Sequence, residues 1–469
     1  MKTIQVATKE GGSAELAFPE IEALRGELRG ELLVPGDSGY EETRVIWNAM
    51  IDRRPALIAR CRGVADVLAA VKLAARHGLL VAVRGGGHNV AGNAVCDGGL
   101  MVDLSPMRSV TVDPFARTAR AEGGATWGDF DAETQAFGLA TVGGLISMTG
   151  VAGLTLGGGI GWLSGSHGLA CDNLLSLEVV TAEGKLVRAS ATENPDLFWG
   201  LKGGGGNFGI VTSFQFQLYP VGPSLFAGML LHPLDKAPAA LGQFRDFLKE
   251  APDQLGALAA LTRTSDALPV AALVQVYNGP VEDAERLVAP LRAFGPPSAD
   301  TLGPKPYREI QTLFDAGAPA GLRYYWKSSF LDALPDQAIE ILAARHRASP
   351  SPKSKIFVEF LGGAMARVDL DATVFDHRAS PYNLLIIGAW QDPSEDRENI
   401  AWVRETWNQM QPYASPGVYM NYLGQESDEG RARVEASYGP GKLERLAKLK
   451  AKYDPTNLFR MNQNIRPAP

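Results

Sequence analysis

Glycine is concentrated in three short stretches of this 469-residue chain, and no other feature restricts the fold as strongly. The first stretch is RGGGHN at residues 84–89, and the second extends over residues 143–173 and contains TGVAGLTLGGGIGWL. The third is within LFWGLKGGGGNFGIVTSFQFQLYP at residues 197–220. Because a glycine backbone carries no side chain, such stretches allow a flat or phosphorylated molecule to approach the main chain closely. The sequence therefore predicts a nucleotide-type ligand held between glycine loops.

The residues around RGGGHN predict strand, helix, strand, glycine loop and strand over residues 55–104. PALIARC and LLVAVR have strand character, VADVLAAVKLAARHG has helical spacing of apolar residues, and GGLMVDLSPM predicts a further strand. The segment after the loop, NVAGNAVCDGG, has no helical periodicity. In Rossmann and Walker loops, phosphate lies at the start of a helix that follows directly. Here the backbone amides of the loop itself would have to hold an anion.

The remaining sequence suggests three parts. LLSLEVVTAEGKLVRAS predicts a strand pair with a turn at EGK, and after Pro220 the chain consists of ordinary amphipathic helix and strand segments. The tail RLAKLKAKYDPTNLFRMNQNIRP predicts a basic helix that ends near Tyr453-Asp454-Pro455. We expect a first domain over residues 1–221, a second over 222–411, and a segment over 412–469 that returns to the first.

Composition excludes several classes of function. The formal net charge is −7 and no basic stripe is present, which argues against nucleic acid as a partner. The sequence shows neither a secretory signal nor a membrane-spanning apolar run, and its three cysteines are scattered, so we expect a cytoplasmic protein without a membrane partner. No metal-ligand cluster appears among the six histidines, and no GxSxG motif suggests a hydrolase. Nothing in the sequence specifies an oligomeric state.

Four segments together resemble a known family. RGGGHN, TGVAGLTLGGGIGWL with HGLACDN, ENPDLFWGLKGGGGNFGIVT and YDPTNLFRMNQNI resemble FAD-linked oxidoreductases of the p-cresol methylhydroxylase/vanillyl-alcohol oxidase superfamily, in particular its berberine bridge enzyme-like subgroup. The resemblance covers residues 40–220 and 418–466, whereas the middle matches only in pieces such as YYWKSSF and TVFDHR. It implies an α+β fold with a p-cresol methylhydroxylase-type FAD-binding domain and an α+β substrate domain, in which helices back an antiparallel sheet.

The resemblance gives the histidine of RGGGHN a role. In this family the corresponding residue is joined to the 8α-methyl group of FAD, so His88 is the predicted 8α-histidyl attachment point. A tethered flavin cannot dissociate, and the linkage favours hydride acceptance by raising the redox potential. Many relatives carry a second, cysteinyl link, but Ile146 stands at that position here. Cys171 is out of register and is read as a small buried thiol, so one covalent link is expected.

The same resemblance assigns the other cofactor contacts. A pyrophosphate group is expected at the first loop, a second wall at the second glycine stretch, backbone contacts on the adenine side at the third, and amide contacts to the flavin edge near the carboxyl terminus. The predicted FAD-binding residues besides His88 are Arg84, Gly85, Gly86, Gly87, Asn89, Gly143, Gly144, Gly150, Val151, Gly153, Thr155, Gly157, Gly158, Gly161, Trp162, Asn173, Gly209, Ile210, Val211, Tyr422, Asn462 and Asn464.

The catalytic candidates also follow from matching positions. Tyr422 in VYMNYLG corresponds to a tyrosine that stands above the flavin and acts as a base in several members. A tyrosine with a pKa near 10 needs a nearby cation or hydrogen-bond donor to do so at neutral pH, and Lys327 and His377 are the candidates for that support. A solvated lysine and a structural His377–Arg378 pair are the alternatives. Gly424 stands where relatives often have an acid, and Glu426 is a possible substitute.

These observations predict an FAD-dependent oxidase that removes a hydride from an alcohol, sugar or amine carbon of a small molecule, with O2 as acceptor and H2O2 as product. In relatives a small side chain near ISMTG opens a space for oxygen, and Thr149 occupies that place. Two alternatives stay open: a dehydrogenase of the same fold with another acceptor, and a flavin-bound protein that cyclises or binds its ligand without redox chemistry.

Overall fold

The computed structural model describes residues 3–439 and 441–469. The strands up to residue 220 are β1 Thr3–Ala7, β2 Ser13–Ala17, β3 Glu31–Leu33, β4 Leu57–Arg60, β5 Val81–Arg84, β6 Leu100–Asp103, β7 Val110–Asp113, β8 Thr118–Glu122, β9 Leu139–Ala140, β10 Leu174–Val180, β11 Leu186–Ser190, β12 Ile210–Gln217 and β13 Tyr219–Pro220. The helices of this part are α1 Phe18–Glu27, α2 Tyr40–Arg44, α3 Val64–His77, α4 Trp127–Gln135, α5 Val151–Leu156, α6 Ser164–His167 and α7 Pro195–Leu201.

The strands after residue 220 are β14 Ser224–Pro233, β15 Leu255–Arg263, β16 Pro269–Tyr277, β17 Ala299–Asp300, β18 Gly303–Pro306, β19 Arg323–Leu331, β20 Lys355–Phe360 and β21 Tyr382–Trp390. The helices are α8 Ala237–Leu248, α9 Val281–Ala293, α10 Tyr307–Gln311, α11 Asp336–Arg347, α12 Ala364–Arg367, α13 Asp396–Met410, α14 Glu426–Glu429, α15 Arg431–Ala436 and α16 Leu443–Tyr453. Short 3-10 turns occur at Ala170–Asn173, Gly205–Asn207, Leu234–Lys236, Asp315–Gly317, Leu370–Ala372, Pro393–Glu395, Gln411–Tyr413 and Met420–Tyr422.

A four-stranded sheet in the order β3-β4-β6-β5 carries the first glycine loop. Strands β4 and β5 both run parallel to β6, and helix α3 connects them. This helix ends at Gly78, whose φ of 61° is the left-handed conformation that glycine adopts without strain. The loop after β5 enters no helix before β6 begins, so the predicted difference from Rossmann and Walker loops is confirmed.

The second sheet contains five antiparallel strands in the order β11-β10-β12-β8-β7 and supports the second and third glycine stretches. Its strands β10 and β11 form the predicted pair, joined by a turn over residues 181–185. The larger sheet has eight antiparallel strands, in which β17-β14-β16-β15-β20-β21-β19 form the path and β18 also pairs with β14. The α+β fold with a helix-backed antiparallel sheet is thus confirmed, whereas the boundaries at residues 221 and 411 stay a prediction.

The eight-stranded sheet has two different faces. Helices α8, α9, α11 and α13 cover one face through a buried apolar core that includes Leu241, Leu342 and Val403. The opposite face packs against the first glycine loop, where Trp47 joins Tyr324 and Leu385 in a smaller cluster. The sheet therefore presents its second face to the region where the glycine loops end. No helix in the described ranges is long and apolar enough to cross a membrane.

A buried ion pair fixes the carboxyl-terminal tail. The Lys450 ammonium lies 2.7 Å from a carboxylate oxygen of Asp454, and neither side chain is exposed. Lys450 also donates to the backbone carbonyls of Asn207 (2.6 Å) and Phe459 (2.9 Å). Asp454 in turn accepts hydrogen bonds from the backbone amides of Leu458 and Phe459. Helix α16 is thereby joined to both the third glycine stretch and the tail.

We expect Lys450→Met to lower the free energy of unfolding by about 3–5 kcal/mol, because it leaves the Asp454 charge buried without its partner. Denaturant unfolding followed by tryptophan fluorescence measures the change. Lys448→Met is the matched control, since its pair with Glu444 is largely exposed and is worth little. Equal effects of the two substitutions would contradict the importance of the buried pair.

Candidate active site

The glycine loops and the open face of the eight-stranded sheet enclose a cavity of about 480 Å³. Its walls come from the first loop, the second stretch, the third stretch, the open sheet face, the loop around residues 313–318, and the carboxyl-terminal segments 419–422 and 459–463. Within the described chain, no Asp or Glu is among its lining residues, and the residues with a permanent charge among them are Arg263 and Lys355. This wall composition suits an anionic, partly apolar ligand.

The first two glycine stretches touch through their backbones. A Cβ atom on Gly86 would lie 2.5 Å from the amide nitrogen of Gly150, and a Cβ on Gly150 would lie equally close to the nitrogen of Gly86. No side chain fits at such distances. These two glycines therefore bring the loops together, in addition to leaving main chain exposed to a ligand.

His88 is held in a stack of aromatic rings at the cavity wall. Its imidazole stacks on Trp47 with the ring centroids 4.2 Å apart, and Trp47 stacks in turn on Tyr324 at 3.8 Å. The Nε2 atom of His88 is buried and has no hydrogen-bond partner among the residues that the structure describes. Burial lowers the pKa of His88 to about 4, because the imidazolium form loses its hydration. His88 is consequently a neutral, oriented imidazole at neutral pH, with a free ring nitrogen.

Tyr422 donates a hydrogen bond to a carboxylate on the neighbouring sheet. Its hydroxyl lies 2.7 Å from Oε1 of Glu359, and Asn383 Nδ2 donates to the other oxygen at 2.7 Å. Burial raises the pKa of Glu359 above its ordinary value, although both hydrogen bonds oppose that shift. Burial and the adjacent Glu359 raise the pKa of Tyr422 well above 10. Tyr422 is therefore protonated at neutral pH and serves as the donor in its hydrogen bond to Glu359.

Two neighbours of Tyr422 tie it to the second glycine stretch. The hydroxyl of Tyr419 accepts hydrogen bonds from the backbone amide of Gly159 (3.0 Å) and from Asn421 Nδ2 (2.8 Å). Asn421 also donates to the carbonyl of Leu154 at 3.0 Å. The ring of Trp326 meets that of Tyr422 edge to face at 5.7 Å. These contacts set the position of the Tyr422 hydroxyl against Glu359.

Neither proposed supporter of Tyr422 lines the cavity within the described chain. Lys327 forms ion pairs with Asp428 at 2.9 Å and Glu429 at 3.0 Å, since it follows Trp326 on β19 and alternate strand residues point to opposite faces. The ring nitrogen Nε2 of His377 lies 3.1 Å from the carbonyl oxygen of Ala436. Both side chains thus make contacts typical of a structural role.

The predicted FAD-binding residues fall into two groups. Those that line the cavity are Gly85, Gly86, Gly87, His88, Asn89, Gly150, Gly153, Gly157, Gly209, Ile210, Val211, Tyr422 and Asn462. Those outside its lining are Arg84, Gly143, Gly144, Val151, Thr155, Gly158, Gly161, Trp162, Asn173 and Asn464.

Three of the residues outside the cavity lining make packing contacts that explain why a glycine or an asparagine is needed there. A Cβ on Gly161 would lie 1.9 Å from the carbonyl oxygen of Gly143, so this pair packs backbone against backbone. The amide of Asn173 donates to the carbonyls of His167 and Leu169 and accepts from Tyr219. These contacts hold the second stretch in shape.

Sequence reasoning missed the carboxylate of the site. Glu359 belongs to the strand KIFVEF and is 2% exposed. A buried acid in a largely apolar strand is an unusual feature that indicates a paired or functional group. Its partnership with Tyr422 joins positions 63 residues apart, however, and only the fold shows it.

The residues of the cavity fit FAD. Buried polar atoms of its wall, among them His88 Nε2 and Asn462 Oδ1, have no hydrogen-bond partner in the described part of the chain and are available to a bound group. The glycine loops offer main chain rather than side chains, and the wall carries no carboxylate that would repel a pyrophosphate. When bound, FAD accepts a hydride and thus supplies the redox chemistry that amino acid side chains lack.

Comparisons with known proteins agree with this assignment. A family model described as an FAD binding domain matches residues 55–190, and one described as berberine and berberine like matches residues 418–466. An FAD-linked oxidoreductase of Dictyostelium discoideum is 34% identical over 94% of this chain and 95% of its own. The (R)-6-hydroxynicotine oxidase of Paenarthrobacter nicotinovorans is 32% identical over 94% of this chain and 97% of its own.

Solved structures show the same similarity. The crystal structure of 6-hydroxy-D-nicotine oxidase from Arthrobacter nicotinovorans superposes with a TM-score of 0.87 at 31% identity, covering 97% of this chain and all of the other. A xylooligosaccharide oxidase from Myceliophthora thermophila gives a TM-score of 0.83 at 26% identity, and the match covers 96% of this chain and 100% of the other. Fold, site and matches define an FAD-linked oxidoreductase. The chain belongs to the berberine and berberine-like family of these enzymes.

Proposed function

We propose that this protein is an oxidase that transfers a hydride from an alcohol, sugar or amine carbon of a small molecule to FAD held covalently by His88, with O2 as the final acceptor. The observation that carries the proposal is the Tyr422–Glu359 hydrogen bond beside the cavity that His88 also lines. For an alcohol, the net reaction converts the CH–OH group and O2 into a carbonyl and H2O2. Oxidation removes one hydride and one proton from the substrate.

Tyr422 and Glu359 provide a route for the proton. The substrate hydroxyl donates to the Tyr422 oxygen, and as the hydride leaves, its proton passes to Tyr422 while the phenolic proton moves to Glu359. A carboxylate with a raised pKa is a better proton acceptor than an ordinary one. Asn383 keeps Glu359 in place through the second carboxylate oxygen. The route requires no cation beside Tyr422, in contrast to the role expected for Lys327 or His377.

A single link through His88 is supported by the cysteines. All three are free and buried, and none is among the cavity-lining residues of the described chain. Ile146 lines the cavity where a second link would need a cysteine. Free thiols also favour a reducing compartment, the cytoplasm. Oxygen as acceptor is supported by the relatives that are named oxidases and by the small Thr149 on the cavity wall.

The function is tested by mixing the purified yellow holoprotein with alcohols, sugars and amines without oxygen and following the flavin absorbance. We expect at least one compound to bleach the flavin, and subsequent aeration to restore the colour with one H2O2 formed per substrate oxidised. Turnover with a dye but negligible peroxide in air would instead establish a dehydrogenase. If no member of the panel bleaches the flavin, the redox proposal fails and a non-redox binding role gains support.

A further inference from the structure

One cation on the cavity wall has no part in the proton route. Lys355 is the first residue of β20, and Arg263 is the last residue of β15. The two strands are neighbours, and Leu261 pairs with Ile356, so both residues lie at the same end of this strand pair. Within the described residues, Lys355 forms no ion pair with a carboxylate.

The protein satisfies Lys355 only partly. Its ammonium group donates to the carbonyl oxygen of Gly317, which lies in the loop that covers this end of the cavity. Burial, assisted by repulsion from Lys353, lowers the pKa of Lys355 to about 8. Its side chain is only partly exposed and has no carboxylate partner among the described residues, so a bound anion would supply the missing counter-charge.

Arg263 belongs to the other face of the sheet. It lies two residues beyond Leu261, which packs in the helix-covered core, and alternate strand residues point to opposite faces. Burial and the nearby charge of Arg263 lower the pKa of His346 on helix α11 to about 4. Lys355, by contrast, shares the cavity face with Phe357, so it gives the cavity a cationic end, and no acidic residue is among the lining residues of the described chain.

The cationic end lies at a defined distance from the reacting groups. Glu359, Phe357 and Lys355 alternate along β20 and share one face of the sheet, so the backbone positions of Glu359 and Lys355 are about 13 Å apart. Phe357, Leu385, Ile387 and Trp326 line the wall on and beside this strand. This middle section offers apolar contact and few hydrogen bonds, which disfavours a sugar.

We infer that the natural substrate is a small organic acid: its carboxylate is bound by Lys355, its apolar body lies along Phe357 and Trp326, and its oxidisable carbon lies at Tyr422. The inference rests on the proposed function, because it assigns that same cavity to a substrate class. It excludes neutral oligosaccharides, which the names of some similar structures would suggest as substrates.

Equilibrium binding tests the inference without turnover. Phenylacetate and phenylpropionate are titrated into the holoprotein, with their uncharged carboxamides as matched probes, and binding is read from the shift of the flavin absorbance. We expect the carboxylates to bind about tenfold or more tightly than the carboxamides. Lys355→Met should abolish most of that difference and leave carboxamide binding unchanged. Arg263→Met is the control, because that cation lies at the same end of the strand pair but on the helix-covered face of the sheet.

Several results would overturn the inference. Equal affinity for the acids and their carboxamides would do so. Loss of the binding of both acids and carboxamides in Lys355→Met would also do so, because it would indicate a structural role for Lys355. An effect of Lys355→Met confined to the reaction of reduced flavin with O2 would reassign the cation to oxygen. The hydroxymethyl derivatives of the same acids distinguish the acid-binding inference from the proposed oxidase function. If they bind tightly but do not bleach the flavin without oxygen, the acid-binding site is supported and the oxidase function is not.

Discussion

Replacement of Glu359 by Gln is expected to slow anaerobic flavin reduction by about 100- to 10,000-fold, the range typical of a lost proton acceptor. The amide keeps the size of the side chain and one acceptor oxygen for Tyr422, but it cannot take a proton. FAD should remain attached, since Glu359 lies on the sheet and not in the glycine loops. Stopped-flow measurement of the reduction rate at saturating substrate isolates this step from binding.

Tyr422→Phe should have an effect of similar size, and the double variant should be little worse than either single one, because the two groups pass the same proton. Glu426→Gln is the matched control, since Glu426 is exposed and is the acid that spacing alone suggested. Strong loss of activity in Glu426→Gln with normal activity in Glu359→Gln would refute the assigned route.

The same assignment fixes the direction of the pH dependence. Burial raises the pKa of Glu359, so this carboxyl group loses its proton at a higher pH than an ordinary glutamate does. It can accept a proton only above that pH. The reduction rate should therefore fall as the pH drops through this raised pKa, and Glu359→Gln should lack that decline. Folding favours the protonated acid, so any stability from this group is present at low pH and is lost as pH rises. Glu359→Gln should not reduce stability at neutral pH.

Much of the first half of the fold could be predicted because it is encoded locally. The apolar spacing of α3 and its terminal Gly78 mark a helix, and the strands β4, β5 and β6 are short apolar segments around it. His88 could be placed because it directly follows the glycines whose backbone forms the loop. In such cases the sequence neighbours are also the spatial neighbours.

The substrate side could not be predicted in the same way, since its contacts join distant segments. The sequence YYWKSSF predicts that successive side chains alternate between the two faces of the sheet, but not which face borders the cavity. In the structure helices cover the other face, so Tyr324 and Trp326 line the cavity whereas Lys327 pairs with Glu429. Some glycines were likewise assigned to the cofactor although they pack on each other, as Gly143 and Gly161 do. A glycine pattern shows where side chains are absent, but not what occupies the space.

If FAD is held covalently as proposed, His88→Ala is expected to produce a protein that releases its FAD on denaturation. Acid precipitation should leave the yellow colour with the wild-type polypeptide and transfer it to the supernatant for the variant. The physical reason is that His88 presents a neutral imidazole with a free ring nitrogen in a fixed stack on Trp47, whereas no cysteine lines the cavity in the described chain. Mass spectrometry of the intact chain gives the same information, as a mass increase of one FAD less the two hydrogens lost when the bond forms.

Cys171→Ser is the control for the tether, because Cys171 is buried away from the cavity and should retain full attachment. Flavin that stays bound in denatured His88→Ala would require another attachment residue, and flavin that leaves the denatured wild type would remove the covalent link altogether. The noncovalent FAD of His88→Ala should also be reduced more slowly, since an 8α-histidyl link raises the redox potential. A normal reduction rate with complete release would show that His88 retains the cofactor without tuning it, so the two measurements separate retention from redox tuning.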